Sequence, residues 1–146
     1  MNTFIPLGNS AQERNPSMRS RILVVDDEPT IVQTVCNVLG SSGFDVLGVN
    51  AGDEAIAAVA TFCPDVLLSD VMMPGMNGFE IGLEIKKLCP NCHLLFFTGQ
   101  SEVSDLSEDL KRNGHRFELL RKPVPPMELI DRVKAALAQA DQRDLG

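Results

Sequence analysis

Five short, mostly apolar runs recur along the chain: RILVV (21–25), FDVLGV (44–49), VLL (66–68), HLLFF (93–97) and FELL (117–120). Between consecutive runs the apolar residues follow a helical period instead, and this alternation is the strongest constraint on the fold. Runs of this kind suit strands buried on both faces. Connections with room for one helix each force right-handed crossovers between parallel strands. The expectation is a three-layer α/β domain, a parallel sheet covered by helices on both faces.

The intervening segments carry their own start and stop signals. Pro29 suits the first turn of a helix with Ile31, Val35, Val38 and Leu39 on one face and Gly40 and Gly43 at its exit. Residues 53–62 predict an alanine-rich helix stopped before Pro64. Residues 78–88 predict another, with Ile81, Ile85 and Leu88 inward at the expense of Gly82, worth about 1 kcal/mol against Ala. Ser101 is a candidate cap for a helix carrying Val103, Leu106 and Leu110 that stops at Asn113-Gly114. Pro126 opens the last helix, with Leu129, Val133 and Leu137 inward. Residues 1–20, polar and interrupted by Pro6, Gly8 and Pro16, read as a flexible leader. Residues 21–140 read as one domain and residues 141–146 as a short polar tail with nothing to bury.

In a sheet of this kind ligands bind beyond the carboxyl ends of the strands. The residues ending the runs are Asp26 and Asp27, Asp70, Thr98 and Lys122. Three carboxylates brought together repel one another unless a cation neutralises them, and an all-oxygen site suits a hard ion, Mg²⁺ or Mn²⁺. A hard divalent ion, an ammonium and a hydroxyl are what the oxygens of a transferring phosphoryl group require, and a carboxylate can accept that group as an aspartyl phosphate. Asp70 is the candidate acceptor, because it stands alone at a central strand end while Asp26 and Asp27 can share the ion.

Charge narrows the alternatives. The net charge of −7, from 13 Lys and Arg against 20 Asp and Glu, disfavours direct nucleic-acid binding. A basic subset, Lys111, Arg112, Arg116, Arg121 and Lys122, reads as a solvated helix end and strand, Lys122 excepted. No apolar run is long enough to span a membrane, and the first twenty residues lack the features of a secretory signal, so a cytoplasmic location is expected. In that reducing compartment the 4 Cys are expected to be plain thiols.

CPNCH (89–93) fits the CxxCH pattern of covalent haem attachment. It falls, however, between a helix end and a strand start, at the amino edge of the expected sheet. A redox CxxC has the reverse order, at a helix start where the dipole lowers a thiol pKa. Cys92 is expected to be a small core hydrophobe.

VVDDEP (24–29), SDVMMPGMNGFE (69–80), FTG (97–99) and RKP (121–123) occur in this order. As a set they closely resemble the receiver domain of two-component response regulators, over about Arg21 to Ala140, and the intervals from Asp27 to Asp70 and from Asp70 to Thr98 are those of the family. The resemblance implies a flavodoxin-like, doubly wound five-stranded parallel sheet in the order 2-1-3-4-5 with five helices. It implies that Asp70 takes a phosphoryl group from a phosphohistidine on a histidine kinase or histidine phosphotransfer protein. Asp27, Asp70 and the Met72 carbonyl would hold Mg²⁺, with Asp26 acting through bound water. Thr98 and Lys122 would contact the phosphoryl oxygens, Thr98 moving inward, with Gly99 leaving room and a cis Lys122-Pro123 peptide aiming the ammonium. Such a domain is no turnover enzyme; it promotes only its own phosphorylation and dephosphorylation. Because so little chain follows Ala140, output is expected to pass to a separate protein, and the face of the fourth helix, fifth strand and fifth helix could also seat a homodimer.

Two positions depart from the family pattern. Leu119 stands where an aromatic switch residue is usual, with Phe117 two residues earlier, and the interval from Thr98 to Lys122 is slightly long. Ordinary phosphorylation with a modified readout face is the expectation. Two other readings compete. DDEPT (26–30) approximates the DxDxT loop of haloacid-dehalogenase-like Mg²⁺ phosphatases, but Glu28 replaces the second Asp and Asp70 is left unexplained. A receiver that works by contact alone, without phosphate, is disfavoured by the presence of all five marker residues.

Overall fold

A computed structural model describes residues 19–99 and 107–145, with backbone alone from residue 140 onward. The strands are β1 (Arg21–Val25), β2 (Asp45–Val49), β3 (Val66–Asp70), β4 (His93–Thr98) and β5 (Phe117–Arg121). The helices are α1 (Pro29–Ser41), α2 (Gly52–Ala58), α3 (Gly78–Leu88), α4 (Glu108–Arg112) and α5 (Pro126–Leu145). All strand pairings are parallel and the order is β2-β1-β3-β4-β5, as expected. The chain steps from β1 outward to β2, then crosses back to β3, so the carboxyl ends of β1 and β3 flank the point where the order reverses.

Alternate strand residues point to opposite faces and build two cores. Leu23, Leu67, Leu94 and Phe96 pack with Ala55 of α2 and with Ile81 and Ile85 of α3. On the other face Ile22, Val24, Leu68 and Phe97 pack with Val35 and Leu39 of α1 and Val133 of α5. Strands carrying apolar residues on both faces have no other place to go, which is why β3 is buried throughout.

Several helix details differ from expectation. In α1 the expected face of Ile31, Val35, Val38 and Leu39 does pack on the core, joined by the buried Val32, but Gly40 lies inside the helix, and Gly43 at φ 97° makes the exit. Helix α2 ends at Ala58 rather than near Phe62, where turn bonds from Thr61 and Phe62 N–H to the Ala58 carbonyl take over. Leu88, expected inward, is 56% exposed. Ser101, Val103 and Leu106 lie outside the described residues; the described part of α4 buries Leu110 and stops at Asn113-Gly114, with Gly114 at φ 75°. Helix α5 runs on through residues 141–145, since no breaker interrupts that stretch.

The cysteine expectation is corrected. Cys63 and Cys89 form a disulfide, leaving Cys36 and Cys92 as free thiols. The fold lays the α2–β3 connection beside the end of α3, so the two Cα atoms, 26 residues apart in sequence, come within 6.1 Å, inside bridging range. That proximity is tertiary and leaves no trace in the cysteine spacing. Cys89 is therefore already engaged within CPNCH. Cys92 is 1% exposed in the core, and burial pushes its thiol up to about 12, leaving it no nucleophile. Among the described residues, no helix is long and apolar enough to cross a membrane.

Candidate functional site

The sheet delivers its strand ends to one edge. Asp26 follows the last residue of β1 and is fully buried, with Asp27 exposed beside it. The Glu28 N–H donates to Asp26 Oδ1 at 3.0 Å, and Asn50 Nδ2 donates to the Asp26 carbonyl at 3.1 Å. Asp26 Oδ2 is buried without a hydrogen-bond partner. Asp70 closes β3 at 7% exposure, and one carboxylate oxygen from each of Asp26, Asp27 and Asp70 lies within 4.8 Å of the others.

Lys122 completes the group from the other side of the sheet. Its backbone N–H donates to the Thr98 carbonyl at 2.9 Å, which ties the end of β5 to that of β4. The Lys122-Pro123 peptide is cis, as the resemblance implied. The ammonium reaches Asp70 Oδ2 at 3.1 Å and stands 3.9 Å from Asp26 Oδ2. Thr98 ends β4 at 4% exposure. Met72 lies two residues beyond Asp70 with its side chain 56% exposed. Gly99 faces open space, with nothing within 4 Å of an added Cβ, so no described neighbour demands glycine there.

Burial is the main cause that raises the Asp26 carboxyl from 3.8 to about 6; Asp70 and Asp27 add to it, while the Glu28 N–H and the Lys122 ammonium oppose it. A buried carboxylate oxygen without a donor, inside an all-oxygen group of three acids, is the chemistry a hard divalent cation satisfies. The residues present fit such an ion.

Three contributors escaped the sequence reading. Gly78 starts α3 so close to β3 that a Cβ there would sit 2.3 Å from the Asp70 carbonyl oxygen. The helix start that makes this approach is set by a capping box: Glu80 N–H donates to Asn77 Oδ1 at 2.9 Å, and Asn77 N–H donates to Glu80 Oε1 at 2.8 Å. The NGFE spacing shows that signal. Asn50 directly follows β2, so its signal in the sequence is the same strand-end position that marks Asp26 and Asp70.

The departure at β5 also acquires a geometry. Phe117 belongs to an aromatic cluster with Phe79 and Phe96, ring centroids 4.7 to 5.8 Å apart. Leu119, at the position expected for an aromatic, is 41% exposed.

A doubly wound sheet in this strand order, with an acidic pocket at its switch point, is the architecture of CheY-like receiver domains. Comparison with known proteins agrees. The family model described as response regulator receiver domain matches residues 22–134. The DNA-binding response regulator MtrA of Mycolicibacterium smegmatis is 34% identical over 121 residues, 83% of this chain and 52% of that protein. The alkaline phosphatase synthesis transcriptional regulatory protein PhoP of Bacillus subtilis is 33% identical over 124 residues, 85% of this chain and 51% of that protein. A response regulator receiver domain protein from Clostridium thermocellum superposes with a TM-score of 0.74 at 32% identity, covering 84% of this chain and 98% of that one. The chemotaxis protein CheY4 of Vibrio cholerae gives a TM-score of 0.72 at 28% identity, covering 81% of this chain and 98% of that one. The chain belongs to the response regulator receiver domain family. It spans about half the length of the curated relatives it matches.

Proposed function

We propose that the domain is the phosphoacceptor of a two-component phosphorelay, with Asp70 as the accepting residue. The observation that carries this reading is the convergence of Lys122, Asp26 and Asp27 on the Asp70 carboxylate at the carboxyl edge of the sheet. A carboxylate oxygen of Asp70 forms the new bond to phosphorus while the bond to the donor histidine nitrogen breaks, and that nitrogen keeps the electron pair. The Lys122 ammonium and the Thr98 hydroxyl hold the phosphoryl oxygens. Asp27, Asp70 and the Met72 carbonyl would hold Mg²⁺ or Mn²⁺, with Asp26 acting through bound water, and the ion would supply the neutralisation that lets an anionic donor approach three acids.

The donor is a sensor histidine kinase or histidine phosphotransfer protein. Because the ATP that charges such donors is cytoplasmic, the reading keeps the cytoplasmic location expected from sequence. Phosphorylation draws Thr98 inward, and the change is read by a downstream protein on the surface of α4, β5 and α5, where Leu119 replaces the usual aromatic. The same surface is where a second copy would dock.

Treatment with acetyl phosphate and Mg²⁺ tests the reading by intact mass. One phosphoryl group should be gained, acid-stable and base-labile, and none in Asp70→Asn or in EDTA. An unchanged mass in the wild type, or full labelling of Asp70→Asn, overturns it.

A further inference from the structure

We infer that the amino edge of the sheet, opposite the acidic pocket, carries a binding site for a small organic oligophosphate, of which a nucleoside diphosphate is the simplest case. Two adjoining cavities lie there, of about 430 and 260 Å³, and both are bounded by His93, His115 and Arg116. These are both of the 2 histidines in the chain. Lys111 joins the wall of the larger cavity and Lys86 that of the smaller. A chain with a net charge of −7 thus gathers three cations and two imidazoles around one groove.

The state of these cations distinguishes the groove from ordinary surface. Elsewhere Lys87 pairs with Glu84, Arg112 with Asp109, Arg132 with Glu118 and Lys122 with Asp70. Among the described residues Lys111, His115 and Arg116 have no carboxylate partner. The one carboxylate on the groove wall, Glu118, is held by Arg132. Lys86 is fixed in place, its ammonium donating to the Pro90 carbonyl at 2.7 Å and the Cys92 carbonyl at 2.9 Å. Burial, and after it the neighbouring Lys86 charge, lower the His115 imidazole pKa from 6.5.

The two cavities divide the ligand's chemistry. The smaller, bounded by Lys86, His115 and Arg116, suits phosphate oxygens through point charges and a planar fork. Of the apolar residues bounding the larger, Leu95 and Ala136 are buried and Phe117 is half-buried, so Phe117 is the apolar surface offered to the ring system of an organic phosphate. His93 and Thr98 stand at opposite ends of β4, roughly 16 Å apart at about 3.3 Å per residue, so the groove does not overlap the acidic pocket.

The test titrates the full chain with a fluorescent N-methylanthraniloyl ADP in EDTA, so that no metal recruits the nucleotide to the acids. Saturable anisotropy is expected, displaced by inorganic pyrophosphate. It should weaken by about tenfold or more in Lys111→Glu/Arg116→Glu, each reversed charge costing a large part of a decade, and be unchanged in Asp70→Asn. Phosphorylation of the charge-reversal variant by acetyl phosphate should be normal, which shows that it folds; if it is not, Lys111→Gln/Arg116→Gln replaces it, with at least a severalfold weakening expected. No saturable binding, equal affinity in wild type and the folded variant, displacement by adenosine but not pyrophosphate, or loss of binding in Asp70→Asn would each overturn the inference.

Discussion

Lys122 Nζ lies 3.1 Å from Asp70 Oδ2 across 52 residues of sequence, with Asp26 Oδ2 at 3.9 Å from the same ammonium. On the proposed function, the acceptor carboxylate is held by a cation that must exchange it for a phosphoryl oxygen. Lys122→Met should fold, yet slow the acetyl phosphate reaction by about 10–100-fold, since a single charged donor is lost from the site where negative charge is stabilised. Stopped-flow or timed mass spectrometry measures the rate; an unchanged rate would mean that the ammonium does not act on the phosphoryl group.

The buried charge on Asp26 costs stability when no metal is bound. Asp26→Asn should raise metal-free stability by about 1–3 kcal/mol, because a shift of one pKa unit corresponds to about 1.4 kcal/mol and the amide carries no charge. It should also abolish the rise in melting temperature that Mg²⁺ is expected to give the wild type. The pH dependence follows the same group. Its folded value of about 6 lies above 3.8, so the fold binds the proton first and metal-free stability should increase as pH falls from 7 toward 4. Thermal melts in EDTA, compared with Mg²⁺, measure both effects.

Gly78 and Gly99 should behave oppositely. Gly78→Ala drives a Cβ to 2.3 Å from the Asp70 carbonyl oxygen, so backbone must move. A loss of about 2–4 kcal/mol and weaker Mg²⁺ binding are expected. Gly99→Ala meets no described residue within 4 Å, and chemical denaturation should find it within about 0.5 kcal/mol of wild type.

The Cys63–Cys89 bridge closes a loop with a separation of 26 residues. Reduction, or Cys63→Ser, should lower stability by about 3 kcal/mol through the added freedom of the unfolded chain. Denaturant midpoints with and without reductant test this, and free-thiol titration should rise by two per chain on reduction.

Phe117 and Leu119 are separated by one residue and by very different surroundings. Phe117→Ala removes a ring from the cluster with Phe79 and Phe96 and should cost about 2–4 kcal/mol. Leu119→Ala should cost less than about 1 kcal/mol, and should instead weaken capture of a downstream partner by the phosphorylated form.

The strands were legible because local composition decides them: RILVV and HLLFF have apolar residues for both faces of a sheet, so only a central position suits them. Pro126 and Gly114 mark helix ends through backbone chemistry that needs no neighbour, and the unread NGFE box does the same at α3. Leu88 was misjudged for a related reason, since helical period gives a stripe but not where the neighbouring element stops covering it.

Sequence by itself thus determined the parallel sheet, its order by resemblance, and the set Asp26, Asp27, Asp70, Thr98 and Lys122, because strand ends in such a sheet share one edge. Only the tertiary structure decided what each group meets. It left Asp26 Oδ2 buried without a donor, placed Asn50 on the Asp26 carbonyl, brought Cys63 beside Cys89, and turned Phe117 rather than Leu119 into the aromatic cluster. These are contacts between segments remote in sequence, set by how helices seat on the sheet to within an ångström, and no local pattern encodes a distance of that kind.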